Sequence, residues 1–170
     1  MLFNSTTAVR TVDCISVQLL EHYNIKGLIL DLDNTLTTHD NPIPAQNVDR
    51  WLDEMRKNNI KMMIVSNNHY ERVKPFADNL GLEFVCEGKK PLSKGFNEAQ
   101  KRMGIPFENI AAVGDQIFTD ILGANLRRIK SIYVFPIQHE TTAFFKFKRF
   151  MEKPFIPKKL YSCTNQTEKF

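Results

Sequence analysis

The sequence contains no apolar run approaching the roughly 18 residues that a membrane-spanning helix needs, so we expect no transmembrane segment. Its N-terminus has no basic stretch followed by an apolar core, which argues against a secretory signal peptide. Cysteine is scarce: Cys14, Cys86 and Cys163 are scattered and form no CxxC pair. This pattern argues against a zinc site or a disulfide framework and favours reduced thiols in a cytoplasmic protein.

What remains is the composition of an ordinary globular protein. The 170 residues are 42% hydrophobic and 25% charged, which is enough for one domain with a sizeable core. The net charge of +4 is unevenly distributed, because residues 141–170 hold seven Lys or Arg and two Glu, leaving −1 for the rest. We therefore expect a near-neutral core over 1–140 and a basic, aromatic C-terminal helix and tail of the same domain over 141–170.

Hydrophobic periodicity predicts alternating strands and helices. The predicted strands are 28–33, 61–65, 82–86, 110–113 and 131–135. The predicted helices are 8–24, 45–58, 70–80, 94–103, 118–126 and a last one that ends near 151. This alternation is typical of an α/β protein with three Rossmann-like layers, in which a five-stranded parallel sheet carries helices on both faces.

The most informative stretch is residues 27–37, where an apolar strand runs directly into Asp31 and Asp33. Parallel sheets bind ligands at the carboxyl ends of their strands, so both carboxylates are expected where a ligand would lie. Two acids so close together are costly unless a cation or a shared proton offsets their repulsion. The simpler interpretation is a pair of solvated aspartates in an Asp-Asn turn.

Other predicted strands end in polar groups as well, and a parallel sheet would bring them to the same edge. These groups are Ser66 and Asn67, Lys89 and Lys90, Asp115, and Asp120 five residues later. Acids, a hydroxyl and a lysine suit phosphoryl transfer, in which Asp31 can attack phosphorus and Asp33 can act as general acid and base.

The remaining roles follow from the same chemistry. Mg²⁺ prefers hard oxygen ligands, which Asp31, Asp115 and the backbone carbonyl of Asp33 can supply. Ser66 and Lys90 can donate to the phosphate, although Ser66 can instead cap the next helix. Two further residues are expected to support the site. Asn67 binds the phosphate or lies in a turn beside it, and Thr35 forms a hydrogen bond within the Asp-Asn turn.

These residues resemble the four signatures of the haloacid dehalogenase (HAD) superfamily, subclass IIIA. The four segments are Asp31-Leu-Asp33-Asn-Thr35, Val65-Ser66-Asn67, Lys90-Pro91 and Gly114-Asp115-Gln-Ile-Phe-Thr-Asp120. They occur in order across residues 28–135. The resemblance implies Asp31 as nucleophile, Asp33 as acid/base, and Asp115 as metal ligand. It also implies that Ser66 and Lys90 bind phosphate, and that Asp120 acts through water or holds Lys90.

A narrower resemblance points to a substrate. The segments Lys89-Lys-Pro-Leu, Gly95-Phe96 and Phe118-Thr-Asp-Ile-Leu-Gly-Ala-Asn125 resemble the YqeG-type subgroup, the bacterial counterpart of mitochondrial phosphatidylglycerophosphate phosphatase. Only 32 residues separate Asp33 from Ser66, so we expect no cap domain and an open site. An open site suits a phosphate displayed on something large, and the subgroup implies phosphatidylglycerophosphate at the cytoplasmic membrane face.

Alternatives stay open at this point. A capless phosphatase can instead act on nucleic-acid ends or on a soluble metabolite, and a HAD fold without catalysis can hold RNA or a ribosomal partner. The basic aromatic tail fits peripheral contact with an anionic membrane, contact with nucleic acid, or simple packing on the sheet.

Overall fold

The computed structural model describes residues 2–161 and contains one six-stranded sheet in which every pairing is parallel. The strands are β1 (Thr7–Val9), β2 (Gly27–Leu30), β3 (Lys61–Val65), β4 (Glu83–Val85), β5 (Ile110–Gly114) and β6 (Lys130–Val134). They lie in the order β1-β6-β5-β2-β3-β4. The central strand β2 aligns Leu30 with Ile64 of β3 and with Val113 of β5, so three strands end at the same level.

Helices cover both faces of this sheet. They are α1 (Val17–His22), α2 (Val48–Lys57), α3 (Tyr70–Leu80), α4 (Ser93–Met103), α5 (Leu122–Asn125) and α6 (Ala143–Glu152). Alternate residues of β2 belong to two separate hydrophobic cores. Leu28 and Leu30 pack beneath α2 and α3, and Ile29 packs beneath α4 and α5. The three-layer α/β architecture predicted from the periodicity is confirmed, with six strands instead of five.

The additional strand lies where a helix over 8–24 was predicted, and that prediction is wrong for its first half. Residues Thr7–Val9 are buried and pair with β6, with Thr7 opposite Ile132. The apolar residues at the start of the predicted helix belong instead to an edge strand. Its pairing satisfies backbone groups that β6 would otherwise leave open. The helix begins only at Val17, where the Ser16 hydroxyl accepts the Leu19 N–H at 3.2 Å.

Two expectations from the sequence have different outcomes. Cys14 is disulfide-bonded, so the prediction of reduced thiols is wrong for that residue, whereas Cys86 is a free cysteine. Cys163 lies outside the described residues, as does the rest of the predicted tail beyond 161. Among residues 2–161, no helix is long and apolar enough to cross a membrane.

The fold leaves the carboxyl ends of the strands open. Between β2 and β3 the chain forms one helix and a loop, and between β3 and β5 it forms two helices and the short strand β4. The described part of the chain therefore contains no cap domain over this edge, as the short intervals predict.

Candidate active site

A cleft of about 320 Å³ lies at the carboxyl ends of β2, β3 and β5. Its walls are Asp31, Asp33, His39, Asp40, Ser66, Asn67, Asn68, Lys90, Gln116, Thr119, Phe145 and Lys148. The predicted residues Asp31, Asp33, Ser66, Asn67 and Lys90 thus come together although up to 59 positions separate them.

Lys90 is the buried cation of this cleft. Its Nζ lies 2.5 Å from Asp31 Oδ1 and 2.7 Å from Asp120 Oδ1. Burial alone would lower the pKa of Lys90, but the charges of Asp120 and Asp31 outweigh that effect and raise it, so the ammonium stays protonated. Lys89 is exposed, which distinguishes the two candidate lysines. Asp120 therefore holds Lys90 in this structure, one of its two expected roles.

The Asp31 carboxyl is subject to two opposing effects, burial and the charge of Lys90, and this environment suits a nucleophile. Burial raises the pKa of this carboxyl to about 6, because the charge of Lys90 offsets the desolvation only in part. The second oxygen, Oδ2, accepts a long hydrogen bond of 3.5 Å from the Thr35 hydroxyl. Oδ2 is thus less firmly held than Oδ1, and the Thr35 side chain bonds back to Asp31 within the turn that follows β2.

The carboxylates of Asp31, Asp115 and Asp120 form a cluster that fits a divalent cation. One oxygen from each lies within 4.8 Å of the others. Asp115 is fully buried, yet its Oδ1 has no hydrogen-bond partner among the described residues. Burial also raises the pKa of Asp115 well above its ordinary value despite a nearby arginine. A buried oxygen without a donor, beside two further acids, is the arrangement that a hard metal ion stabilises.

Asp33 is positioned differently from the cluster acids. Its Oδ1 accepts a hydrogen bond from Arg72 at 2.8 Å, and its Oδ2 accepts one from Asn68 at 2.6 Å. Its side chain is therefore outside the carboxylate cluster, and the proposed metal ligand on this residue is its backbone carbonyl. Both of its partners follow β3, Asn68 in the loop and Arg72 in α3, and together they hold the proposed acid/base next to Asp31.

Ser66 and Asn67 support the cleft from the end of β3. The Ser66 hydroxyl accepts the N–H of Asn68 at 3.0 Å, which leaves its own proton available to a phosphate. Asn67 binds the backbone of Lys90 on both sides, accepting its N–H at 2.7 Å and donating to its carbonyl at 3.0 Å. Asn67 therefore holds the Lys90 loop, and only one of its amide protons is left for a substrate.

The segment after β5 brings Asp120 back toward Asp115 through a single π-helical turn, Ile117–Ile121. Asp120 Oδ2 accepts the N–H of Gln116 at 3.2 Å. Gly114 makes this return possible, because a Cβ at that position would lie 2.3 Å from Asp120 Cγ. The glycine of the fourth signature is thus required by close packing against a site residue.

Arg149, which sequence reasoning did not single out, joins α6 to the site. Its guanidinium donates to the Asp115 carboxylate and, at 2.6 Å, to the Asp115 carbonyl. It also pairs with Glu140 at 3.0 Å and with Glu152 at 3.1 Å. His39 contacts the same Glu140 at 3.0 Å. Arg149 is the single arginine of residues 141–170, but no motif or spacing in the sequence links it to Asp115, so sequence reasoning gave no reason to place it at the site.

The sequence of this chain is similar to those of known proteins. Residues 38–126 match the sequence profile of the haloacid dehalogenase-like hydrolases. "Probable phosphatase YqeG" of Bacillus subtilis is 37% identical over 145 residues, which cover 85% of this chain and 84% of that protein. The mitochondrial phosphatidylglycerophosphatase GEP4 of Saccharomyces cerevisiae is 31% identical over 127 residues, covering 66% of this chain and 68% of that protein.

Solved structures show the same fold. An uncharacterized protein from Listeria monocytogenes serotype 4b superposes with a TM-score of 0.57 at 20% identity, over 69% of this chain and 85% of that one. The resemblance read from the four signatures is confirmed by the sequence relatives. The chain belongs to the haloacid dehalogenase-like hydrolase family and is a phosphatase.

Proposed function

We propose that this phosphatase hydrolyses phosphatidylglycerophosphate to phosphatidylglycerol through a covalent phosphate on Asp31, with Mg²⁺ as its metal. The observation that carries the chemistry is the buried lysine between Asp31 and Asp120, next to an unpartnered oxygen of Asp115. A buried cation and a metal site beside one carboxylate suit an anionic phosphate that this carboxylate attacks.

In the first step an oxygen of Asp31 attacks phosphorus and the bond from phosphorus to the substrate oxygen breaks. Oδ2 is the better-placed oxygen, because Oδ1 is held by Lys90 at 2.5 Å. Asp33, held by Arg72 and Asn68, is the group positioned to give a proton to the departing alkoxide. The products of the step are the free alcohol and an aspartyl-phosphate.

In the second step water attacks the phosphorus of the aspartyl-phosphate, and Asp33 removes a proton from that water. The bond between phosphorus and the Asp31 oxygen breaks, which releases inorganic phosphate and restores the carboxylate. Lys90 and the Ser66 hydroxyl donate to the phosphate oxygens in both steps. Asp120 keeps Lys90 in place with its contact of 2.7 Å.

The residues fit Mg²⁺ by the chemistry of their donors. Asp31, Asp115 and the Asp33 carbonyl would hold the ion, and Asp120 lies close enough to hold a bound water in place. When bound, the ion offsets the repulsion between the carboxylates and the phosphate and stabilises the charge that develops in transfer. It would also give Asp115 Oδ1 the partner that it lacks.

The lipid substrate is supported by the open cleft and by relatives. The yeast relative is named a phosphatidylglycerophosphatase, and the narrower resemblance points the same way. No cap among the described residues restricts the cleft to small molecules, so a headgroup displayed at a membrane surface can enter. With this substrate, the proposal includes a cytoplasmic location and peripheral contact with the inner face of an anionic membrane.

The test is phosphate release from phosphatidylglycerophosphate in mixed micelles with Mg²⁺, compared with a generic aryl phosphate. Asp31→Asn is the blank. We expect a strong preference for the lipid that is lost in the variant. Turnover of the aryl phosphate alone would keep the mechanism and replace the lipid by a soluble or nucleic-acid phosphate. Background release from every substrate, together with tight RNA binding, would replace the enzyme by a binding protein.

A further inference from the structure

Helix α6 presents most of its large apolar residues to solvent, whereas the charges of Arg149 and Glu152 face the protein. Its inward face carries Arg149 and Glu152, which bind each other and the site. Its outward residues Phe144, Phe147 and Phe150 are 62–72% exposed, and Met151 is 47% exposed. An ordinary surface helix buries its apolar stripe and exposes its charges. The reversed arrangement indicates that the outward face has a partner.

The exposed apolar residues form one continuous stripe. At about 100° per residue, the four large side chains and Ala143 fall within an arc of roughly 120°. Lys146 and Lys153 flank one edge of this arc, and Lys148 lies beyond the other. An apolar arc with bulky aromatics and lysines at its margins is typical of helices that lie in a membrane interface.

We propose that this face of α6 docks on the surface of an anionic lipid bilayer. The phenylalanines would enter the boundary between headgroups and acyl chains, and the flanking lysines would contact lipid phosphates. The docking surface itself is inferred from α6 alone. The claim that docking promotes hydrolysis of a lipid phosphate rests on the proposed function.

Other occupants fit this face less well. At about 200 Å² for a whole aromatic side chain, the four residues expose roughly 500 Å², less than the ~800 Å² that each partner contributes to a standard protein interface. Residues 162–170 are mostly polar and contain a single phenylalanine, so their composition offers little apolar surface to match the arc. Single-stranded nucleic acid is ordinarily held in a basic groove, and this face is the convex side of a helix.

The same helix forms a wall of the catalytic cleft. Phe145 and Lys148 line the same cleft as Lys90 and Asp31, while the neighbouring Phe144 and Phe147 are exposed. The two faces are separated by no more than one helix diameter, about 10 Å. Docking by the outward face would therefore hold the cleft next to the headgroup layer, where a lipid phosphate is presented.

The test is co-sedimentation of the full chain with phosphatidylglycerol vesicles and with phosphatidylcholine vesicles. Three double variants are compared with the wild type. Phe147→Ser/Phe150→Ser removes two stripe residues, and Lys146→Glu/Lys153→Glu reverses the flanking charge. Ile43→Ser/Leu92→Ser is the matched control, because those side chains are 68% and 62% exposed elsewhere.

We expect the wild type and the control to bind phosphatidylglycerol vesicles, and both α6 variants to bind at least tenfold more weakly. Turnover of a soluble aryl phosphate by the α6 variants should match the wild type, which shows that they fold. Equal binding by all variants would overturn the proposal, as would a wild-type dimer that Phe147→Ser/Phe150→Ser dissociates without any vesicle binding. Vesicle binding without hydrolysis of phosphatidylglycerophosphate would support docking and refute only the proposed substrate. Hydrolysis in micelles without vesicle binding would support the proposed substrate and refute docking.

Discussion

Replacing Asp31 by asparagine should abolish turnover and at the same time stabilise the metal-free protein. Burial raises the folded-state pKa of this carboxyl from 3.8 to about 6, even with Lys90 beside it. The ionised form is therefore less favourable in the folded protein than in the unfolded chain. A difference of about two units corresponds to about 3 kcal/mol at 1.36 kcal/mol per unit.

The sign of the pH dependence follows from proton binding. Between about pH 4 and pH 6 the folded protein holds a proton on Asp31 that the unfolded chain has released. The free energy of unfolding of the wild type should therefore fall as pH rises through this window. Above pH 6 the full destabilisation from ionised Asp31 should be present. Asp31→Asn cannot ionise at this position, so its advantage over the wild type should be close to zero at pH 4 and about 3 kcal/mol at pH 8.

The assay is urea unfolding in the presence of a chelator at several pH values. Asp49→Asn, at an exposed position in the first turn of α2, is the control and should show no such gain. Adding Mg²⁺ should narrow the difference, because the ion binds the folded wild type more tightly than the variant. An Asp31→Asn protein that is no more stable than the wild type at pH 8 without metal would refute the reasoning.

Arg72→Met should lower kcat by about tenfold to a hundredfold in steady-state assays, because it releases Asp33 from its 2.8 Å ion pair; unchanged kcat would count against a positioning role. Gly114→Ala should abolish activity and lower the urea midpoint, since its Cβ would lie 2.3 Å from Asp120 Cγ, and an active variant would contradict that contact. Lys89→Ala should leave phosphate release unchanged, because this side chain is exposed; a large loss would mean that the assignment to the neighbouring lysine is wrong.

The strands around the site could be predicted because each is a short apolar run that ends in a polar turn. The strand over 61–65 has the predicted bounds, and the helix over 70–80 ends, as predicted, at a glycine in a left-handed conformation, Gly81. Edge strand β1 could not be predicted in the same way. It is three residues long, and its identity comes from pairing with β6, which follows it by more than 120 residues.

The site shows the same division between local and distant information. Asp31, Asp33 and Lys90 stand at strand ends, where chemistry and position agree within a few residues. Arg72 and Arg149 reach the site from helices and contact residues 39 and 34 positions away. An arginine on a helix surface is ordinarily solvated. Only the packing of α3 and α6 shows that Arg72 contacts Asp33 and that Arg149 contacts Asp115.

Charge explains why the distant cations are part of the site. Buried carboxylates surround the cleft and its Arg149 network: Asp31, Asp33, Asp115, Asp120, Glu140 and Glu152. The cations that contact or line the same region are Lys90, Arg72, Arg149 and Lys148. The acids exceed these cations by two charges, so neighbouring acids add to the burial that raises the pKa values of Asp31 and Asp115. A divalent ion would supply the missing charge, and only then does the cleft become favourable for a phosphate dianion. Metal and substrate are therefore expected to bind interdependently, and Arg72 and Arg149 hold Asp33 and Asp115 in place before either arrives.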